Sequence, residues 1–238
     1  MKNLHKKQLR LSRRGFWLVC ALLVCLRLAL TGFQQAYTWV GGAPLDDELM
    51  FRAAQNITAG EWLGAYDYLT LSKAMFFPVW LALLHALHLP YLVSGAALWC
   101  AASLLAAFAF APLWRNAEPG CGRVLTLGLF GALAFLPSSW AAYTLRVYRD
   151  NIFPALCLYF FAGMAGMALR AVFEKDKLLW PWLAAAGAGL ACGYLDREDA
   201  GLFLLPFAAA ATVIVAVVLA GKRRWKALAA QVIPYAML

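Results

Sequence analysis

Nearly all the chemistry available to this chain is gathered in three short charged clusters. The first is Asp46-Asp47-Glu48, with Arg52 shortly after it and Lys73 further on. The second is Arg146, Arg149 and Asp150, and the third is Asp196-Arg197-Glu198-Asp199, wedged between two apolar runs. A carboxylate in such a place can take a proton as a general base or hold a hard divalent cation such as Mg or Mn through its oxygens. An arginine fork matches a carboxylate and a phosphate equally well. Two readings therefore stay open for Arg146, Arg149 and Arg197: pairing with Asp150, Glu198 or Asp199, or recognition of a phosphate. Lys73 reads either as a membrane-flanking anchor or as a phosphate ligand. Residues 47–59 carry Leu49, Met50, Ala53, Ala54 and Ile57 at helical spacing, with Glu48, Arg52, Gln55 and Asn56 on the other face. Asp46 then reads as the N-cap of that amphipathic helix or as a catalytic base at a cavity mouth, and the two are compatible. Neighbours on a helix point about 100° apart, so Asp46 and Asp47 are not expected to share one role.

Other chemistry-bearing residues point to nothing comparable. His85 and His88 are three apart with no third ligand in sequence reach, which argues against a metal there. The six cysteines Cys20, Cys25, Cys100, Cys121, Cys157 and Cys192 form no CxxC pair and read as small buried residues. Asn56-Ile57-Thr58 fits a glycosylation pattern. Gly189 to Gly193 is a GxxxG, which predicts close helix packing.

The elements that must position the three clusters follow from composition. Apolar residues make up 64% of the chain and charged ones 14%, against roughly half and a quarter in soluble domains. So little polar material cannot cover a surface in water, and lipid must cover it instead. The net charge of +9 does not indicate nucleic acid, because the charges lie in clusters of alternating sign between long uncharged runs. The sequence predicts an all-α polytopic bundle. A basic N-terminus, 1–14, precedes a first span over 15–37. Arg27 interrupts the core that a cleaved signal or a twin-arginine leader would need. An outer loop over 41–76 leads into a charge-free stretch, 74–114, that is too long for one span and is divided by Pro90. Its first part, 77–89, suits a helix in the interface, and its second, 91–114, a span. Further spans are expected at 124–145, 151–169, 178–195 and 200–221, six in all. A seventh run opens at Ala227 and is still apolar at Leu238, which predicts an N-terminal portion of a larger protein.

Charge tests that register. With the N-terminus in the cytoplasm, the cytoplasmic pieces are 1–14, 115–123, 170–177 and 222–226. They hold fifteen of the 21 basic residues and, of the twelve acidic ones, only Glu118, Glu174 and Asp176. Lys and Arg resist translocation, so the asymmetry supports both register and orientation. Trp39, Trp140, Tyr143 and Trp180 near span ends fit interfacial belts.

With the three clusters on one face, the chain resembles the GT-C superfamily of polytopic glycosyltransferases, which includes protein mannosyltransferases and bacterial lipid A aminoarabinose transferases. The stretch Asp46-Asp47-Glu48-Leu49-Met50-Phe51-Arg52-Ala53-Ala54-Gln55-Asn56 is similar to that family's first-outer-loop motif. Residues 70–78 are similar to the segment before its second juxtamembrane helix, Arg149-Asp150 to its second outer loop, and 193–201 to the turn before the sixth span. The resemblance runs from about 15 to 220. Asp196 and Glu198 stand where Thr and Pro are common in the family, and the family's C-terminal half is absent. The resemblance implies that Asp46 is the essential aspartate, that Asp47 is the acid beside it, and that Lys73 binds donor phosphate.

The expectation is a membrane glycosyltransferase that moves a hexosyl or pentosyl unit from a polyprenyl-phosphate donor to an outer-face acceptor, in the plasma membrane of a bacterium. Asp46, with Asp47, would be catalytic, and Lys73, Arg149 and Arg197 would bind the phosphate. Asp150, Glu198 and Arg146 would support them, and Asp47 or Asp150 are the candidates for a divalent metal. The alternatives are a transporter or flippase for an anionic lipid, which needs cations but no base, and an inactive fragment.

Overall fold

A computed structural model describes residues 11–38, 44–62, 64–70, 72–114, 116–117, 119–173, 179–222 and 225–226. The basic residues Lys2, Lys6, Lys7 and Arg10, Trp39, the segment 174–178 and the seventh apolar run, 227–238, lie outside them. The described residues form eight α-helices and no β-strand beyond one isolated bridge. These are α1 (Arg13–Gly32), α2 (Pro44–Ala59), α3 (Phe76–Ala86), α4 (Tyr91–Ala109), α5 (Pro119–Ala134), α6 (Phe153–Phe173), α7 (Trp180–Asp196) and α8 (Gly201–Gly221).

Five segments are long and apolar enough to cross a membrane: Arg13–Gly32, Tyr91–Ala109, Gly120–Trp140, Phe153–Phe173 and Glu198–Gly221. The expected sixth, α7, has 17 residues, the lower limit for a crossing. The span expected over 124–145 is altered most. Its helix starts earlier, at Pro119, and stops at Ala134, and 3-10 turns fill Pro137–Trp140 and Ala142–Leu145. Pro137 explains the stop, since the residue before a proline is pushed out of the helical region, and Leu136 sits at ψ 127. Pro112 likewise marks the 3-10 turn that replaces the end of the span expected over 91–114. The short apolar stretch after the first loop is a separate helix, α3, as Pro90 predicts; it ends where His88 takes a φ of 53°.

Contacts between chain-distant residues show which helix ends lie together. At one end, Arg123 donates to the carbonyl of Leu11, and Arg170 donates to those of Phe108 and Ala109. At the other, Tyr37 exchanges backbone hydrogen bonds with Leu145 and Val147, and Arg149 donates to the carbonyl of Asp196. This is the alternating arrangement that the charge pattern predicts. Arg170 caps carbonyls left open where α4 ends and stacks over Trp182, 3.9 Å from the ring centroid.

The closest packing joins α6 to α7. A Cβ on Gly163 would lie 2.4 Å from the backbone N of Ala186, and one on Gly189 would lie 2.4 Å from that of Phe160. Each helix therefore presses a glycine onto the other's backbone. The GxxxG works through Gly189 alone, since a Cβ on Gly193 would meet only Leu204, at 3.6 Å. Outward-facing Leu18, Leu22, Leu202, Ile214 and Val217 are all exposed, the kind of apolar surface that a membrane-crossing helix presents. The cysteines depart from expectation: only Cys20 and Cys100 are buried, and Cys25 and Cys121 face outward. On a lipid-facing helix an apolar residue need not be inside.

Candidate functional site

The three charged clusters converge at one end of the bundle, and Tyr148 stands between them. Residues 146–152 are held there by the Tyr37 bridge and by the Tyr91 hydroxyl. That hydroxyl lies 3.0 and 3.1 Å from the carbonyls of Arg146 and Tyr148 and accepts from the Tyr148 N–H at 3.3 Å. Beneath the loop, Met50 of α2, Phe77 of α3, Tyr148 and Ile152 form one buried cluster. The amphipathic pattern of α2 thus supplies both an apolar anchor and the acids beside it.

The two adjacent aspartates have different surroundings, as their helical spacing requires. Asp46 accepts from the Tyr148 hydroxyl at 3.3 Å and pairs with Lys73 Nζ at 3.1 Å, and its side chain is 34% exposed. Asp47 is buried and pairs with Arg146 through both carboxylate oxygens. It latches α2 to the second loop, and Asp46 is the carboxylate that an incoming molecule could reach. The N-cap reading of Asp46 is corrected: α2 begins at Pro44, so Asp46 and Asp47 both lie inside the first turn. Pro44 at the helix start loses nothing by lacking an N–H.

The cations differ as well. The guanidinium carbons of Arg146 and Arg149 lie 4.4 and 5.3 Å from the Tyr148 ring centroid. Arg197 is held by Asp150 at 3.1 Å and by Asp199 at 3.0 Å. Arg149 meets Glu198 at 3.5 Å, and its Nε is buried without a hydrogen-bond partner among the described residues. Arg149 is thus the least tightly paired arginine of the site, although its side chain is only 12% exposed, and Lys73 is 28% exposed beside Asp46. Arg146 and Arg197 are committed to carboxylates. The Glu48–Arg52 pair is 60% exposed on both sides and contributes little.

Two residues missed from sequence complete the site. Tyr148 is one: burial and the Asp46 carboxylate raise its phenol, opposed by Arg149, so it stays a donor at neutral pH. Asp196 is the other. It is fully buried at the outer end of α7, and neither carboxylate oxygen has a hydrogen-bond partner among the described residues. Burial pushes its carboxyl up to about 8, against the opposing pull of Arg149, so it is neutral at pH 7. An aromatic residue between two arginines was the one available signal for Tyr148. Asp196 read as one more charge in a polar turn.

A divalent metal fits this donor set poorly. Asp47 is taken by Arg146 and Asp150 by Arg197, and among the described residues no three potential ligands cluster. His85 and His88 stack on each other, with centroids 6.4 Å apart.

Fold and surface define the class: this is a multi-pass helical membrane protein with a compact charged site at one end of its bundle. No protein-family model, curated protein or solved structure matches the chain.

Proposed function

We propose that the chain carries the catalytic face of a membrane glycosyltransferase that uses a polyprenyl-phosphate sugar donor, with its N-terminus cytoplasmic and the charged site on the outer face of a bacterial plasma membrane. The observation that carries the reading is the convergence of an accessible carboxylate, Asp46, with Lys73 and Arg149 around Tyr148. In the resting arrangement Lys73 neutralises Asp46. An arriving phosphate draws Lys73 onto itself and frees the carboxylate. Asp46 then takes the proton of the acceptor hydroxyl as that oxygen bonds to the anomeric carbon. The bond from that carbon to the phosphate oxygen breaks, and its electron pair leaves on the lipid phosphate, where Lys73 and Arg149 meet the developing charge. Asp47 and Arg146 position the first loop. Arg197, Asp150 and Glu198 support Arg149, and Asp196 stays neutral beside it.

A transporter for an anionic lipid would need cations but no base, and would line a route to the other face. The three charged clusters gather at one end, while Arg123 and Arg170 at the other bind backbone carbonyls, which favours one-sided chemistry. The test is Asp46→Asn, expressed from the complete reading frame, with transfer from a polyprenyl-phosphate sugar followed by product formation. Loss of transfer with normal membrane insertion supports the reading, and undiminished transfer overturns it.

A further inference from the structure

A cleft of about 160 Å³ lies between α2 and the segment that leads into α3. Leu49, Arg52 and Ala53 line it from one stripe of α2, at helical spacing. On the facing segment Ala65, Asp67 and Leu69 line it, while the alternate residues Tyr66 and Tyr68 are 80% and 90% exposed. That segment is fastened to α2 where it begins. The Glu61 N–H donates to the Asn56 carbonyl at 2.9 Å, and Gly64, at a φ of 78°, sits so close that a Cβ there would collide with the Asn56 amide. Lys73 borders the cleft and Asp46 alike, pairing with the latter at 3.1 Å.

The polar groups of the cleft carry both signs. Arg52 pairs with Glu48 and Lys73 with Asp46, so each cation has its counter-charge. Asp67 is exposed and has no cation partner among the described residues. Its Oδ1 accepts from the Leu69 N–H at 2.8 Å and from the Thr70 hydroxyl at 3.2 Å, which fixes the carboxylate; Oδ2 has no described partner. A hydroxyl can accept from Arg52 or Lys73 and donate to Asp67, whereas a charged ligand meets a like charge on one wall. The remaining wall, with Leu49, Ala53 and Met75, is apolar and suits the C–H face of a ring. At about 10–15 Å³ per water-sized occupant the space takes roughly 11–16 of them, against about a dozen heavy atoms in one hexose, so it suits a single ring.

We propose that this cleft binds one neutral monosaccharide ring, with Asp67 Oδ2 accepting from its hydroxyls and the apolar wall against its C–H face. That the ring is the sugar of the donor, held beside Lys73, rests on the transferase reading; its binding in the cleft does not.

The test is a ligand-observed NMR titration of the purified full chain in a polyoxyethylene detergent, whose headgroup carries no sugar. The probes are the methyl glycosides of glucose, mannose, galactose and arabinose, with methyl glucuronide and methyl glucosaminide as the anionic and cationic rings and glycerol as the open-chain control. At least one neutral glycoside should bind saturably in the millimolar range, several-fold more tightly than either charged ring, with no saturable signal from glycerol. Ala53→Leu fills the cleft without touching its polar groups and should abolish binding. Asp67→Asn keeps an acceptor for the Leu69 N–H but turns the free oxygen into a donor, and binding should weaken about tenfold. No saturable neutral glycoside, tighter binding of a charged ring, or unchanged affinity in either variant overturns the proposal. Saturable binding by a chain that transfers no sugar would keep the cleft and sink the transferase reading, and transfer by a chain that binds no glycoside would do the reverse.

Discussion

Asp196 makes the stability of this protein depend on pH in an unusual direction. Burial holds its carboxyl at about 8 in the folded chain, against an ordinary value of 3.8. A group raised on folding contributes stability that is fully present below its unfolded value and is lost as pH rises through its folded one. Between those values the folded state binds the extra proton, so each pH unit removes about 1.4 kcal/mol. Over pH 5 to 8 the loss is about 3–4 kcal/mol, and at roughly 2–4 °C per kcal/mol for a chain of this size the melting temperature falls by about 6–16 °C. Burial sets the value; among the charged neighbours Arg149 and Arg197 pull it down and Asp150 and Glu198 push it up. Asp196→Asn replaces the titrating group with a neutral one of similar shape. In detergent, followed by tryptophan fluorescence, the variant should melt only about 3–7 °C above wild type at pH 5, where about 1.7 kcal/mol is already lost, and much further above it at pH 9, with most of the slope removed. A wild-type melting temperature that is flat or rising from pH 5 to 9 would refute the reasoning. So would an equal slope in Asp196→Asn, since the titrating group would then lie elsewhere.

Three further outcomes test other parts of the structure. Arg146→Ala takes from buried Asp47 the guanidinium that pairs with both its oxygens and should lower stability by up to about 3–5 kcal/mol, whereas replacing both with apolar residues of similar volume should cost much less; thermal melting of both variants decides. Gly163→Ala and Gly189→Ala force a Cβ into the backbone of the facing helix and should each destabilise by about 1–3 kcal/mol or more. Gly128→Ala, where a Cβ would meet nothing within 4 Å, should leave the melting temperature within a degree or two. Tyr148→Phe removes the hydrogen bond to Asp46 while keeping the ring under both arginines. If the transferase reading holds, turnover should fall about tenfold, a loss of some 1.4 kcal/mol, with stability nearly intact; a loss of stability alone would make Tyr148 a packing residue.

What the sequence by itself determined was the membrane class, the helical fold and the end of the bundle where the charges gather. Each follows from composition and order along the chain. Uncharged runs of crossing length can satisfy their backbone in lipid only as helices, and the arginine- and lysine-rich links alternate with the acidic ones. Those one-dimensional signals carried through to the helix order and to the paired ends seen in the fold. Helix limits were less legible because they turn on local events: Pro137 stopping α5 at Ala134, or α2 starting at Pro44 and so moving Asp46 from the cap into the first turn. Partner choice within the charged site was not legible at all. Asp46 and Asp47 are adjacent and of one residue type, yet one is open beside Lys73 and the other is sealed against Arg146, 99 positions away in the chain. Likewise, Asp196 and Asp199 share one turn, but Asp199 pairs with Arg197 while Asp196 is buried and neutral. Pairing and burial depend on which distant loop arrives at which face of a helix, and only the packed tertiary structure decides that.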